Sequence, residues 1–208
     1  MNTSLRIPFI ALLATLILGN AHQTDAQEAR KPATTTASEF PPFEKVVEGY
    51  TEVKPSDGKK PLLRIWKRDK DGQMLAELPK DYASPTHRQF IATTVSGGEQ
   101  FAGLQSDDFY VYWRNYGKRV ALIAENLSIR GSDEESKSSV KRLFTDRVLI
   151  DLPILTMAPR GGPVIDLDAL LVGNANVFFG GSYRGRSNLI KIKKAKAFEK
   201  NTEVAFEV

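Results

Sequence analysis

The sequence predicts a mainly β protein with a few short helices, an α+β chain built as an antiparallel sheet of hairpins. Three observations carry that reading. Short alternating or β-branched runs recur between polar turns, as in Leu62–Lys67, Gln73–Leu78, Arg88–Val95, Asp108–Arg114 and Arg119–Glu125. One segment, Ser132–Phe144, has a clear helical period. The composition, 41% hydrophobic and 26% charged, is that of a globular chain. With 29 basic and 25 acidic residues the net charge is only +4, a mild balance that does not by itself point to nucleic acid.

The first two strands flank Arg68-Asp-Lys-Asp-Gly72, and a polar turn closing on Asp-Gly is a strong local hairpin signal. Met74, Ala76 and Leu78 share one face there, with Gln73 and Glu77 on the other. Arg88–Val95 is a third strand, ended by Ser96-Gly-Gly98. A second hairpin turns across Asn115-Tyr-Gly-Lys118. Phe109, Val111 and Trp113 line one face of its first strand and Tyr110, Tyr112 and Arg114 the other, so both faces are expected to be partly covered. Residues 60–126 are thus expected to form one antiparallel sheet of two hairpins.

In Ser132–Phe144, Ser132 and Glu135 read as a capping box. Its acidic start and basic end suit the helix dipole, and Val140, Leu143 and Phe144 form an apolar stripe. Val148–Met157 is a strand in which Pro153 marks a bulge or an edge. Pro163–Leu167 is another strand, followed by a short helix to Val172 with Asp168 as its N-cap. Asn174–Asn188 reads as loop, and Leu189–Lys194 and Thr202–Val208 as final strands. Val204, Phe206 and Val208 alternate up to the last residue, which predicts a chain cut short at its C-terminus.

The N-terminus reads as an address. A short basic start precedes Ile7–Leu18, an apolar run broken only by Pro8 and Thr15. Twelve helical residues span about 18 Å, short of the roughly 30 Å hydrocarbon core. The run therefore suits a signal peptide, cleaved after Ala26 or, as runner-up, after Ala21. Residues 1–26 are assigned to that signal and 27–39 to a flexible leader, with the folded module at 40–208. Export to the periplasm or the extracellular space follows, with no membrane span after cleavage.

Composition excludes much chemistry. There is no cysteine, hence no disulfide, thiol nucleophile, Cys-bound zinc or lipidated N-terminus, and the only two histidines, His22 and His87, are not at the spacing of an HExxH site. Cleavage removes His22 and leaves His87, in a Pro-containing loop without an evident Asp or Ser partner, so it reads as structural or surface-lying. Gly180–Ser187 resembles a phosphate-binding loop with Arg186 in place of the lysine, and no strand or helix frames it, so a glycine-rich surface loop is preferred. Asp166 and Asp168 could face a calcium ion, but helix capping accounts for Asp168 and further ligands are lacking nearby. Arg184, Arg186, Lys191, Lys193, Lys194, Lys196 and Lys200 form a basic stretch, and the alternation with Ile190 and Ile192 makes it the solvated face of a strand rather than a nucleic-acid patch. Asn126-Leu-Ser128 is a formal glycosylation sequon. No catalytic, cofactor-binding or metal-ligating residue is assigned.

Several segments carry a resemblance. They are Phe40-Pro-Pro-Phe-Glu-Lys-Val46, Leu63-Arg-Ile-Trp-Lys-Arg-Asp-Lys-Asp-Gly-Gln-Met-Leu-Ala-Glu-Leu-Pro79 and Phe90-Ile-Ala-Thr-Thr-Val-Ser-Gly-Gly-Glu99, followed by Tyr110-Val-Tyr-Trp-Arg114, Ser136-Lys-Ser-Ser-Val-Lys-Arg-Leu-Phe144 and Pro163-Val-Ile-Asp-Leu-Asp-Ala-Leu170. Their order and spacing resemble the N-terminal region, domain of unknown function 5117, of large exported bacterial zinc-dependent metalloproteases. The resemblance implies a metzincin-like zinc site, H-E-x-x-H-x-x-G-x-x-H, downstream of this module. That motif is absent from these 208 residues, so no family catalytic residue maps onto a position here. The resemblance therefore implies a non-catalytic N-terminal module, with no cofactor in this chain and zinc only in the full-length family. Its implied partners are a missing C-terminal catalytic domain and a protein substrate. The alternative is a stand-alone exported β-domain that binds a protein or polymer partner.

Overall fold

The computed structural model describes residues 39–95, 102–180 and 188–207. The predicted signal and, but for Glu39, the leader lie outside the described residues, as does the glycine-rich loop beyond Gly180, Arg184 and Arg186 included.

In chain order the elements are α1 (Phe43–Val46), β1 (Tyr50–Glu52), β2 (Arg64–Arg68), β3 (Met74–Glu77), β4 (Gln89–Thr94), β5 (Gln105–Asn115) and β6 (Arg119–Ala124). Then come α2 (Glu134–Leu143), β7 (Arg147–Pro153), β8 (Thr156–Met157), β9 (Pro163–Asp166), α3 (Leu167–Leu171), α4 (Ala175–Phe179), β10 (Lys191–Ala197) and β11 (Thr202–Glu207). The fold is mainly β with short helices, and every strand pairing is antiparallel.

The two predicted hairpins form, but they do not share a sheet. β2–β3 belongs to a five-stranded sheet of order β1-β2-β3-β9-β8, whereas β5–β6 lies in a four-stranded sheet of order β4-β5-β6-β7. The expected single sheet over residues 60–126 is thus divided, because β3 takes β9 as its second neighbour, with Ala76 opposite Ile165. Gly72 closes the first turn at φ +78°, a left-handed conformation that costs a residue with Cβ about 1–2 kcal/mol.

The main core lies where these sheets meet. Ile65, Met74, Ala76 and Leu78 from the first sheet join Val111, Trp113, Val120, Leu122, Ile150 and Leu152 from the second. Leu167 and Leu170 of α3, Phe178 of α4 and Ile192 of β10 complete it. The inward face predicted for Met74, Ala76 and Leu78 is therefore the face that buries. All of β3 is buried, because α1 brings Phe43 and Val46 over the other face, against Trp66, Leu75 and Val164. On the outer face of the second sheet Tyr112, Ala121 and Ile123 form a smaller buried cluster, so both faces of that hairpin are partly covered as expected.

The single strand expected over Val148–Met157 divides at Pro153: β7 ends there as an edge of the second sheet, β8 joins the first, and β7 carries a bulge in which Leu149 is extra between Val148 and Ile150. A second bulge in β10 leaves Lys193 unpaired between Ile192 and Lys194, so both lysines face solvent while Ile192 is buried. The basic stretch here has one solvated face, with Lys193 paired to Glu207 and Lys196 to Glu203. Val204 and Phe206 on β11 pack onto the main core and are half-buried.

Three local expectations are corrected. Residues 175–179, within the stretch read as loop, form α4, whose Ala175 and Phe178 are buried. The N-cap of α3 is Asp166, not Asp168: its side chain accepts the amide of Ala169 at 2.9 Å. The cap of α2 is Asp133, not Ser132. Asp133 accepts the amide of Ser136 at 2.7 Å, whereas Ser132 only reaches Asp133. A carboxylate one residue closer to the first free amides satisfies them better than the hydroxyl upstream.

No residue of α2 is buried, so helix formation there depends on its own capping. Asp133→Ala should cost about 1 kcal/mol locally and speed amide exchange over residues 137–143 about fivefold. Ser132→Ala should leave exchange almost unchanged. Equal effects from both substitutions would restore Ser132 as the cap.

Candidate functional site

The β2–β3 turn and the start of α3 border a cleft of about 470 Å³, closed on its other side by β10. Its lining includes Lys67, Asp71, Gln73, Asp168, Lys191 and Lys193. The turn folds Asp71 back onto Arg68, which donates to both carboxylate oxygens at 2.7–3.1 Å. Gln73 follows, and its Oε1 accepts the Tyr50 hydroxyl at 2.7 Å and a guanidinium N–H of Arg68. Its Nε2 donates to Asp166 Oδ2 at 3.1 Å. Asp168 Oδ2 accepts the Met74 amide at 2.7 Å and so fastens α3 to β3.

The carboxylates differ in proton affinity for identifiable reasons. Hydrogen bonds from Arg68 and from the Gln73 amide hold Asp71 at about 2. Burial pushes Asp168 up, opposed by the Met74 N–H and reinforced by the neighbouring Asp166 charge. Burial likewise pushes the Tyr50 phenol up, with Arg68 acting against it. In this network the Gln73 amide and the carboxylate of Asp166 both bond to neighbouring parts of the chain. It ties a turn, a strand and a helix together, which is structural work.

The Arg68–Asp71 pair gives a direct expectation. By NMR titration the Asp71 carboxyl should have its midpoint at about 2. Arg68→Met should return it toward the ordinary value of about 3.9. An unchanged midpoint in that variant would assign the effect to the Gln73 amide alone.

No family model, curated protein or solved structure matches the chain.

Asp166 and Asp168, weighed as calcium ligands, point to different tasks: one caps a helix and the other holds a strand amide. Among the described residues, no group of three His, Cys, Asp or Glu side chains could hold a metal. His87 differs from expectation in having an acidic neighbour, since its Nδ1 lies 3.8 Å from Asp81 Oδ2 and its side chain is mostly buried. Its Nε2 lies 3.4 Å from Gln89 Nε2, and Gln89 Oε1 in turn accepts the Trp113 indole N–H at 3.2 Å. This single imidazole, bracketed by one carboxylate and one amide, does not fit zinc, which takes three protein ligands even at an open catalytic site.

Asn126 of the sequon uses its side chain twice: Nδ2 donates to Phe144 O at 2.8 Å, and Oδ1 accepts the Ser128 amide at 3.3 Å. A glycan on that nitrogen would compete with the first bond.

An aromatic and arginine surface on the outer face of β4 and β5 went unassigned in the sequence. Phe90 and Tyr110 are cross-strand partners in edge-to-face contact at 5.6 Å, and both are about half exposed. Arg88 lies 4.5 Å over the Tyr112 ring and Arg114 at 5.6 Å. The alternation of Tyr110, Tyr112 and Arg114 announced this face. What it could not announce was that Phe90, twenty residues earlier, would stand beside it.

Proposed function

We propose that the chain is the non-catalytic N-terminal module of an exported zinc-dependent metalloprotease, one that packs on a catalytic domain or steers protein substrate toward it. The observation that carries this reading is the ordered set of segments resembling that family's N-terminal region, spread from Phe40 to Leu170. Two physical features support it. The polar groups of Asp71, Gln73, Asp166 and Asp168 go into bonds that hold the fold together. Around the module's single imidazole the described residues place one carboxylate, Asp81, and one amide, Gln89, short of the three ligands that zinc takes. The coding sequence after codon 208 tests the proposal. An in-frame HExxHxxGxxH supports it, and a stop codon followed by unrelated sequence overturns it.

A second reading, a stand-alone exported domain that binds a protein or polymer, is favoured by the half-exposed Phe90–Tyr110 pair, since adjoining exposed aromatics suit a binding surface.

The chain recovered from an exporting host should be shorter by about 20–26 residues. It should carry no stoichiometric zinc by metal analysis and cleave no protein substrate. One tightly held zinc per chain, or proteolysis abolished by a chelator in a homogeneous sample, would refute the non-catalytic assignment.

A further inference from the structure

Sheet edges invite further strands, and proteins normally protect them with charge, proline, brevity or a covering element. Most edges here are protected. β1 has three residues and carries Glu52, which pairs with Arg64. β8 has two residues and lies beside α1, with Thr156 Oγ1 donating to Pro41 O at 2.7 Å. β7 carries Arg147 and Asp151 and ends in Pro153. β10 has four lysines, and β11 has Glu203 and Glu207.

β4 differs. Its six residues, Gln89-Phe-Ile-Ala-Thr-Thr94, include neither a charge nor a proline and are rich in strand formers. It is the terminal strand of its sheet, and among the described residues no strand lies on its outer side. Along it Gln89, Ile91 and Thr93 turn inward and are partly buried, whereas Phe90, Ala92 and Thr94 are exposed.

We propose that β4 pairs antiparallel with β4 of a second copy of this chain, joining two four-stranded sheets into one across a two-fold axis. Two features of the strand, its lack of charge and its pairing of a large with a small side chain, fit a second copy. Identical strands that meet about a two-fold place like residues near one another, and charge there would repel; β4 has none. The inward and outward faces stay matched only when residues of the same parity oppose each other. In the register with Ile91 opposite Ile91 of the second copy, Phe90 faces Ala92 of the second copy. The large ring then meets the smallest side chain of the strand, and the Phe90–Tyr110 pair extends across the junction. A six-residue junction buries less than the roughly 1,200 Å² of a standard interface, so the dimer is weak.

Sedimentation velocity on the full chain, from about 5 to about 500 µM, tests this. Concentration-dependent dimerisation is expected. Ala92→Glu should raise the concentration for half-association at least about tenfold while leaving the circular dichroism melt unchanged. Phe90→Lys with Ala92→Glu in one chain should restore it, because the register places each new lysine opposite a new glutamate. Dimerisation that ignores Ala92→Glu, or a double variant that stays monomeric, overturns the pairing. So does a chain that is monomeric throughout and whose β4 amides gain exchange protection only with a co-purifying protein, the result expected if another protein's strand is the occupant.

Discussion

Gly162→Ala should be among the most damaging single-methyl changes in this chain, lowering stability by about 3 kcal/mol or more. A Cβ built on Gly162 would lie 1.9 Å from the carbonyl oxygen of Leu78 and 3.1 Å from Glu77 Cγ. The obstacle is backbone, which cannot rotate aside. Relief requires β9 to move off β3, where Leu78 N–H donates to Pro163 O at 3.0 Å, while on the β8 side Ala158 N–H donates to Gly162 O at 2.8 Å and holds Gly162 in place. Gly72→Ala is the informative comparison. Gly72 has open space around it but a φ of +78°, so its loss is conformational and amounts to about 1–2 kcal/mol. Urea denaturation of both variants separates steric from conformational cost. Equal midpoints would mean that the β3–β9 junction yields more easily than its geometry allows.

Arg64→Met should be nearly as costly, about 3 kcal/mol near neutral pH, because it strands Glu77. Glu77 is 5% exposed, and Arg64 Nη1 contacts its Oε2 at 3.1 Å. Burial already lifts the Glu77 carboxyl above its ordinary range, with Arg64 opposing the lift. A folded value above the unfolded one means that the folded chain keeps a proton the unfolded chain has lost. The contribution of Glu77 is then most favourable below the unfolded value, about 4.3, and is lost as pH rises through the folded value. Removing Arg64 raises the folded value further, so the deficit should be largest near about pH 7 and shrink toward about pH 4. Adding Glu77→Gln should recover part of it. A deficit independent of pH would assign the effect instead to the packing of Arg64 over Trp66, at 5.0 Å.

What the sequence disclosed divides along chain distance. The Asp71–Gly72 hairpin and the Asn115–Lys118 hairpin were legible because a turn signal and two short alternating runs adjoin in the chain, at Leu62–Leu78 and Asp108–Glu125. The division into two sheets was not, since it depends on β3 meeting β9 some ninety residues later. β1 escaped notice because three residues carry no period. α4 escaped because Asn174 and the glycines after Phe179 give a loop-like composition, while Phe178 becomes helical through packing on Phe109 at 6.2 Å. Asp166 and Asp168 were rightly singled out, but their tasks could not be told apart: capping depends on which residue leaves the strand, and the role of Asp168 exists only once β3 stands beside α3. The same holds for His87, whose neighbour Asp81 is close in sequence yet faces it only because the loop folds back.

The segment from Asn126 to Asp146 is a detour between two strands that already pair. β6 and β7 are joined from Arg119–Pro153 to Ala124–Arg147, and the mouth of the detour is clasped where the Asn126 amide donates to Asp146 Oδ1 at 3.0 Å. Everything between, α2 included, contributes no buried residue. The core therefore depends on the two residues at the mouth, where Asp146 also accepts the Tyr112 hydroxyl at 2.8 Å, and little on the stretch between them. A reporter or affinity tag spliced in between these two residues should leave both strands in register.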